Sequence, residues 1–154
     1  MELVTHKAFR FAHPRAAVWA AMADVSAYRR WWPWLRAFDA RALATGEQWR
    51  CTVRAPVPYT VSFTIAFEDV VAEERARAHV SGDIVGTAEL TLNDEGEECE
   101  AVVRSDLAPR SLFLRVLAST FPPVARYGHD WILTTGAQQF DERALSVGAR
   151  DTTT

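Results

Sequence analysis

The chain has 154 residues, of which 49% are hydrophobic and 24% charged, a composition typical of one soluble globular domain. The formal net charge of −3 and the pI of 5.8 argue against the basic surface of a nucleic-acid-binding protein. Lys7 is the only lysine, which disfavours Schiff-base chemistry.

The cysteines and the N-terminal segment bear on the cellular compartment. Cys51 and Cys99 lie far apart in strand-like runs, so we expect two buried, reduced thiols rather than a disulfide. Lys7, Arg10 and Arg15 interrupt the N-terminal segment, which therefore has no signal-peptide core. No run approaches the roughly 18 apolar residues of a transmembrane helix. These features predict a cytoplasmic protein.

Motifs for common cofactors are missing from the sequence. It has no phosphate-binding glycine loop, no nucleophile elbow, no HExxH helix and no paired CxxC ligands. The acidic run from Glu95 to Glu100 is typical of an exposed hairpin tip rather than of a calcium loop. We therefore expect neither a cofactor nor a bound metal.

The N-terminal part predicts one strand followed by two short helices. Residues 3–11 alternate in polarity, and Pro14 then favours the start of a helix. Asp24 or Ser26 is expected to cap the second helix. Pro33 ends that helix, because proline has no N–H for the helix ladder.

The central part predicts an antiparallel meander. Apolar and polar residues alternate with the period of a strand in five segments, 49–55, 59–67, 76–80, 84–92 and 99–107. The turn at 93–96 suits a hairpin. Closely spaced strands with short connections form an antiparallel sheet with one apolar face, which another element must cover.

The segment from Phe121 to Phe140 predicts the long helix that covers this face. Pro122 or Pro123 suits its first turn. An inner stripe then follows at helical spacing, with Ala125, His129, Ile132, Gly136 and Phe140. Residues 148–154 are expected to form a disordered tail after a single domain of residues 1–147.

Side-chain size leaves two interpretations of the interior. The first two central strands present large residues, whereas the last three present small ones, namely Ala76, Ala78, Gly86, Ala88, Ala101 and Ser105. With Gly128 and Gly136 in the covering helix, these small residues either leave a cavity or permit close helix–sheet packing.

Four stretches, in this order, resemble the START-like or SRPBCC superfamily of helix-grip proteins, and most closely its polyketide cyclase/dehydrase-like branch. They are His13–Pro14 with Val18–Trp19; Tyr28–Trp34; Pro58–Tyr59 with Gly82–Thr87; and Tyr127–Trp131 with Gly136. Together they span about residues 3–142. The chain departs from the usual pattern through smaller side chains at Leu90, Val103, Ser105 and Gly128.

The resemblance implies an α+β helix-grip fold with a hydrophobic cavity. In that fold a curved antiparallel sheet of six or seven strands wraps around a long C-terminal helix, and two short helices follow the first strand. The superfamily includes carriers, sensors and enzymes, so the fold implies a reaction far less than it implies a cavity.

His129 and Tyr59 are the candidate catalytic residues. His129 acts either as an acid/base or hydrogen-bond donor in the cavity, or as a structural histidine bonded to a backbone carbonyl. Tyr59 either donates to a ligand or packs in the core with its hydroxyl at the rim. The candidate ligand-binding residues are Trp49, Val53, Tyr59, Phe63, Ala78, Ala88, Val103, Ser105, Ala125, His129, Ile132 and Gly136.

Three functions remain in competition. The first is binding of a hydrophobic small molecule (a lipid, an aromatic polyketide-like compound or an isoprenoid) by a monomer or weak homodimer. The second is a polyketide cyclase or dehydrase that uses His129 and Tyr59. The third is a co-chaperone-like interaction protein with a closed interior and an apolar patch at Trp31–Trp34. That tryptophan cluster has three further interpretations, namely a gate over the cavity mouth, an edge that touches a membrane, or a small aromatic core.

Overall fold

The computed structural model describes residues 3–145, except for the side chains of residues 3, 122 and 125. The predicted disordered tail, residues 148–154, lies outside the described residues. Seven antiparallel strands form one curled sheet in the order β1-β7-β6-β5-β4-β3-β2. The strands are β1 Leu3–Phe11, β2 Leu35–Asp39, β3 Gln48–Val53, β4 Val61–Val71, β5 Arg75–Gly82, β6 Ile84–Glu95 and β7 Glu98–Pro109.

The helices lie at the two ends of the sequence, as the periodicity predicts. They are α1 Arg15–Ala23, α2 Tyr28–Trp31, α3 Leu112–Thr120 and α4 Pro122–Phe140, with a 3-10 turn at Val25–Ala27 and a π-helical turn at Asp141–Leu145. Prolines occupy the first turn of α4, and Ser111 Oγ accepts a hydrogen bond from Leu114 N at 3.2 Å to cap α3. This arrangement confirms the α+β helix-grip class.

Three local predictions were wrong. Strand β2 was not predicted, because an irregularity in its pairing with β3 between Leu35 and Ala37 removes the alternation. Tyr59 lies in the loop before β4 rather than on the strand, since Pro58 precedes it and pairing with β3 begins at Val61. Neither Asp24 nor Ser26 caps a helix; Ser26 Oγ donates to Asp24 Oδ1 instead.

The aromatic cluster after α1 is a core that fastens α2 to the C-terminal end of α4. Trp31 and Trp34 are buried, and the Trp31 ring lies 5.4 Å from Phe140. Arg143 Nη1 donates to the Trp31 carbonyl at 2.6 Å, just beyond α4. The aromatic-core interpretation of this cluster is therefore confirmed for Trp31.

Both cysteines are buried and free, as expected. Burial raises the pKa of the Cys51 thiol to about 12, so the thiol stays protonated at neutral pH. Among the helices in the described part of the chain, none is long and apolar enough to cross a membrane.

Candidate ligand cavity

A cavity of about 320 Å3 lies between the concave face of the sheet and the two C-terminal helices. Strands β2 to β7 supply more than half of its wall, α3 supplies Leu114 and Ala118, and α4 supplies Gly128, His129, Ile132 and Leu133. Trp32 and Trp34 close the end near α2. Nearly all of the lining surface is apolar, and no lysine, arginine, aspartate or glutamate lines the cavity within the described chain.

The structure brings most of the predicted ligand-binding residues to this wall. Those on it are Trp49, Val53, Tyr59, Phe63, Ala88, Val103, Ser105, His129 and Ile132. Ala78 is buried in the core instead, where its cross-strand partner Phe67 packs edge-on against Trp49. Gly136 packs against the ring of Trp34, and the side chain of Ala125 lies outside the described part of the structure.

Gly128 and Tyr59 meet where α4 crosses the cavity. A Cβ atom on Gly128 would lie 3.5 Å from Tyr59 Oη, so the hydroxyl group sits against the backbone of the helix. The Tyr59 ring contacts Phe113 of α3 edge-on, with centroids 5.8 Å apart. Burial raises the pKa of Tyr59, which therefore keeps its proton at neutral pH and is available as a hydrogen-bond donor.

His129 is held by a side chain on β1 rather than by a backbone carbonyl. Its Nδ1 lies 3.4 Å from Thr5 Oγ1 and 3.8 Å from Asp130 Oδ1, and the second distance is too long for a hydrogen bond. Asp130 is 3.5 Å from Lys7 Nζ. Burial lowers the pKa of His129, against the opposing effect of the Asp130 carboxylate, so the imidazole is neutral at neutral pH.

Most polar groups on the wall already have partners in the protein. The indole nitrogens of Trp32, Trp34 and Trp49 donate to Gly136 O, Gln139 Oε1 and Ala42 O at 2.9, 2.9 and 2.8 Å, and Tyr28 Oη donates to Met22 O. Ser105 Oγ is buried and has no hydrogen-bond partner among the described residues. A polar group on a ligand would therefore meet Tyr59, His129 or Ser105.

The sequence interpretation missed Thr5 and Lys7. Both share a strand face with Phe9 and Phe11, so extending the period of two toward the N-terminus would have placed them on the inner face. Thr5 pairs directly with Ser105 across β1 and β7. The wall residues of α3 had a weaker signal, since large apolar side chains such as Leu112, Phe113 and Val116 also lie on the exposed face of that helix.

Possible metal ligands do not gather in the described part of the chain. Within residues 3–145, no group of three or more His, Cys, Asp and Glu side chains is arranged to hold a metal ion. The polar cluster of Thr5, Lys7, His129 and Asp130 has the chemistry of hydrogen bonding and proton transfer instead.

No protein-family model matches this sequence, and no curated protein sequence matches it. Solved structures do match the fold. A START superfamily protein from Mycobacterium smegmatis superposes with a TM-score of 0.72 at 14% identity, covering 94% of this chain and 98% of that one. The Zhui aromatase/cyclase from Streptomyces sp. R1128 gives 0.71 at 16% identity, with 99% and 96% coverage.

A plant enzyme has the same architecture. Norcoclaurine synthase from Thalictrum flavum, solved in complex with dopamine and hydroxybenzaldehyde, gives a TM-score of 0.66 at 12% identity, covering 95% of this chain and 88% of that one. Identities this low establish the fold and leave the activity open. This chain therefore has the START-like helix-grip fold.

Proposed function

We propose that this protein binds a hydrophobic small molecule (a lipid, an aromatic polyketide-like compound or an isoprenoid) in the cavity between the sheet and α4. The observation that carries the proposal is the apolar cavity of about 320 Å3. This volume is within the range of roughly 300–1,000 Å3 typical of small-molecule sites. Burial of an apolar ligand there would be favoured by about 25 cal/mol per Å2 of apolar surface removed from water.

The wall also defines the kind of ligand. Since no charged side chain lines the cavity in the described chain, a charged ligand group would be buried without compensation, at a cost of several kcal/mol. The ligand is therefore neutral over the buried part. One carbonyl or hydroxyl oxygen near Tyr59 and His129 would find hydrogen-bond partners. We expect a cytoplasmic monomer or weak homodimer that needs no cofactor.

Native mass spectrometry of the protein purified from its own host tests this proposal. The wild type is expected to carry a co-purified hydrophobic compound. Ala88→Phe places a ring in the cavity and should remove that compound. Thr87→Phe is the matched control, because it adds the same ring to the exposed face of the same strand. A wild type without any bound compound, or equal loading of both variants, would contradict the proposal.

A second candidate is a cyclase or dehydrase acting on a polyketide-like substrate. One observation favours it, since His129 and Tyr59 line the same cavity and the Tyr59 hydroxyl lies against Gly128, the residue before His129 on α4. The neutral imidazole would accept the proton from a carbon next to a substrate carbonyl, and the Tyr59 hydroxyl would stabilise the charge that develops on the carbonyl oxygen. Return of that proton to a β-hydroxyl group would release water and leave a double bond.

A panel of apolar β-hydroxyketones, followed by chromatography for the dehydrated product, tests the second candidate. His129→Gln should lower the rate by about 10²–10⁴-fold, the usual contribution of a general acid/base. Tyr59→Phe should lower it while leaving the fold intact. If dehydration is undetectable with the wild type, or unchanged in His129→Gln, the enzyme assignment fails and the binding proposal stands.

The third candidate, an interaction protein working through Trp31–Trp34, receives no support from the geometry. It predicts a closed interior and an exposed apolar patch at Trp31–Trp34, whereas Trp31 and Trp34 are buried and the interior holds a cavity.

A further inference from the structure

Large apolar side chains are exposed mainly on one region, α3 and the start of α4. Leu112, Phe113, Val116, Phe121 and Tyr127 are between 51% and 76% exposed. Among the described residues, the only other exposed large apolar side chain is Val4 on β1. Five such residues in a stretch of 16 are unusual for a surface that faces only water. We call Leu112, Phe113, Val116, Phe121 and Tyr127 the apolar cap.

Helix α3 carries large apolar side chains on its exposed face as well as apolar side chains on its buried face. Leu114 and Ala118 are buried against the cavity, while Leu112, Phe113 and Val116 point outward. A helix with one face on a protein core normally has a polar opposite face. The outward residues of α3 therefore indicate a second apolar environment outside the protein.

The charge around the apolar cap differs from that of the whole chain. Residues 107–129 contain three arginines and no aspartate or glutamate, whereas the full chain has a net charge of −3. Arg110, Arg115 and Arg126 are exposed, and none of them makes a salt bridge within the described part of the chain. Exposed apolar residues and unpaired arginines in one segment match the interface of an anionic bilayer.

We propose that the apolar cap docks on the surface of a membrane that contains anionic phospholipids. The apolar side chains would enter the boundary between headgroups and acyl chains, and the three arginines would contact the lipid phosphates. A protein partner would need a matching acidic groove, whereas a fluid bilayer accepts this mixed surface without a fixed shape. We therefore assign a lipid bilayer, rather than a protein, as the partner of the apolar cap.

Docking of the apolar cap on a membrane would also change access to the cavity. The inner face of α3 is part of the cavity wall, and Phe113 contacts Tyr59. Movement of α3 into the interface would open a path between the cavity and the acyl chains. The opening of the cavity rests on the proposed function, whereas the docking on the membrane does not. Binding of ligand-free protein to vesicles therefore tests the docking separately from the proposed function.

Flotation with the full chain tests the docking. We would compare vesicles of phosphatidylcholine alone with vesicles of equimolar phosphatidylcholine and phosphatidylglycerol. Wild-type protein is expected on the anionic vesicles, with binding that weakens as salt is added. Substituting Arg110, Arg115 and Arg126 by glutamine should weaken binding roughly tenfold or more, since each arginine near an anionic surface contributes about fivefold.

A matched control uses three exposed arginines on other elements. Arg30, Arg36 and Arg50 are exposed on α2, β2 and β3, and their substitution by glutamine changes the net charge by the same amount. This control should bind as the wild type does, whereas the double variant Leu112→Gln/Val116→Gln should lose binding. Melting curves establish that each variant is folded.

Three results would overturn the docking. The first is that wild-type protein does not float with either kind of vesicle. Another is equal loss of binding in the two arginine variants, since net charge alone would then explain it. The third is a concentration-dependent dimer that Leu112→Gln/Val116→Gln abolishes, because a second copy of the chain would then cover the apolar cap.

Discussion

Alanine substitutions at the two glycines of α4 are expected to have opposite effects on stability. Gly128 and Gly136 both lie inside the helix, so each substitution gains about 0.5–1 kcal/mol of helix propensity. The surroundings differ. A Cβ at 128 would lie 3.5 Å from Tyr59 Oη and 3.7 Å from Ala55 Cβ, which are ordinary contacts at the cavity edge.

A Cβ at 136 would lie 3.1 Å from Trp34 Cζ2, which is too close. The indole cannot withdraw easily, because it donates to Gln139 Oε1 at 2.9 Å and stacks on Trp32 at 5.2 Å. Overpacking of this kind costs about 1–3 kcal/mol, more than the gain in propensity. We therefore expect Gly128→Ala to raise the free energy of unfolding and Gly136→Ala to lower it.

Thermal unfolding followed by circular dichroism measures both effects. For a chain of this length, 1 kcal/mol corresponds to roughly 2–4 °C in Tm. Gly128→Ala should raise Tm by about 1–4 °C, and Gly136→Ala should lower it. An equal rise in both variants would refute the idea that Trp34 is a fixed wall. A fall in Gly128→Ala would show that the helix is closely packed at Tyr59, without space for a ligand.

Two further substitutions test the polar groups of the cavity. Burial lowers the pKa of His129 in the folded protein below its value of about 6.5 in the unfolded chain. The unfolded chain therefore binds a proton at this histidine more readily than the folded protein does. As a result, the free energy of unfolding should decrease as the pH falls below about 6.5 toward the folded pKa. Urea unfolding between about pH 8 and pH 5 should show this loss in the wild type and a smaller one in His129→Phe; parallel curves would contradict it. Ser105→Ala removes a buried hydroxyl without a partner in the described chain, so we expect the free energy of unfolding to stay constant or rise by about 1 kcal/mol. A loss of more than about 1 kcal/mol would mean that this hydroxyl is bonded in solution.

The order of the elements followed from local patterns. Alternation along β3 to β7 and the proline pair before α4 are properties of single segments, so the meander and the covering helix were predictable. Residues of these segments that alternate onto the inner face, such as Val103 and Ile132, reached the cavity wall. Predicting which residues face inward requires only the regular spacing of side chains within a single strand or helix.

The remaining features depend on how distant segments meet. Thr5 contacts His129 across 124 positions of sequence, and no pattern in either segment encodes that contact. Ala78 and Gly136 have the periodicity of cavity residues, but Ala78 is buried beside its cross-strand neighbour Phe67, and Gly136 lies against the ring of Trp34. The volume of an interior depends on which large side chains from other elements fill it, and a single segment does not carry that information.

Titration with the neutral fluorophore N-phenyl-1-naphthylamine tests the central claim most directly. The wild type should bind one molecule with saturation, Thr87→Phe should bind with the same affinity, and Ala88→Phe should bind at least tenfold more weakly. Equal binding by all three proteins would place the fluorophore on the apolar cap rather than in the cavity. The absence of saturable binding to the wild type would contradict the claim that the cavity between sheet and helix holds a hydrophobic molecule.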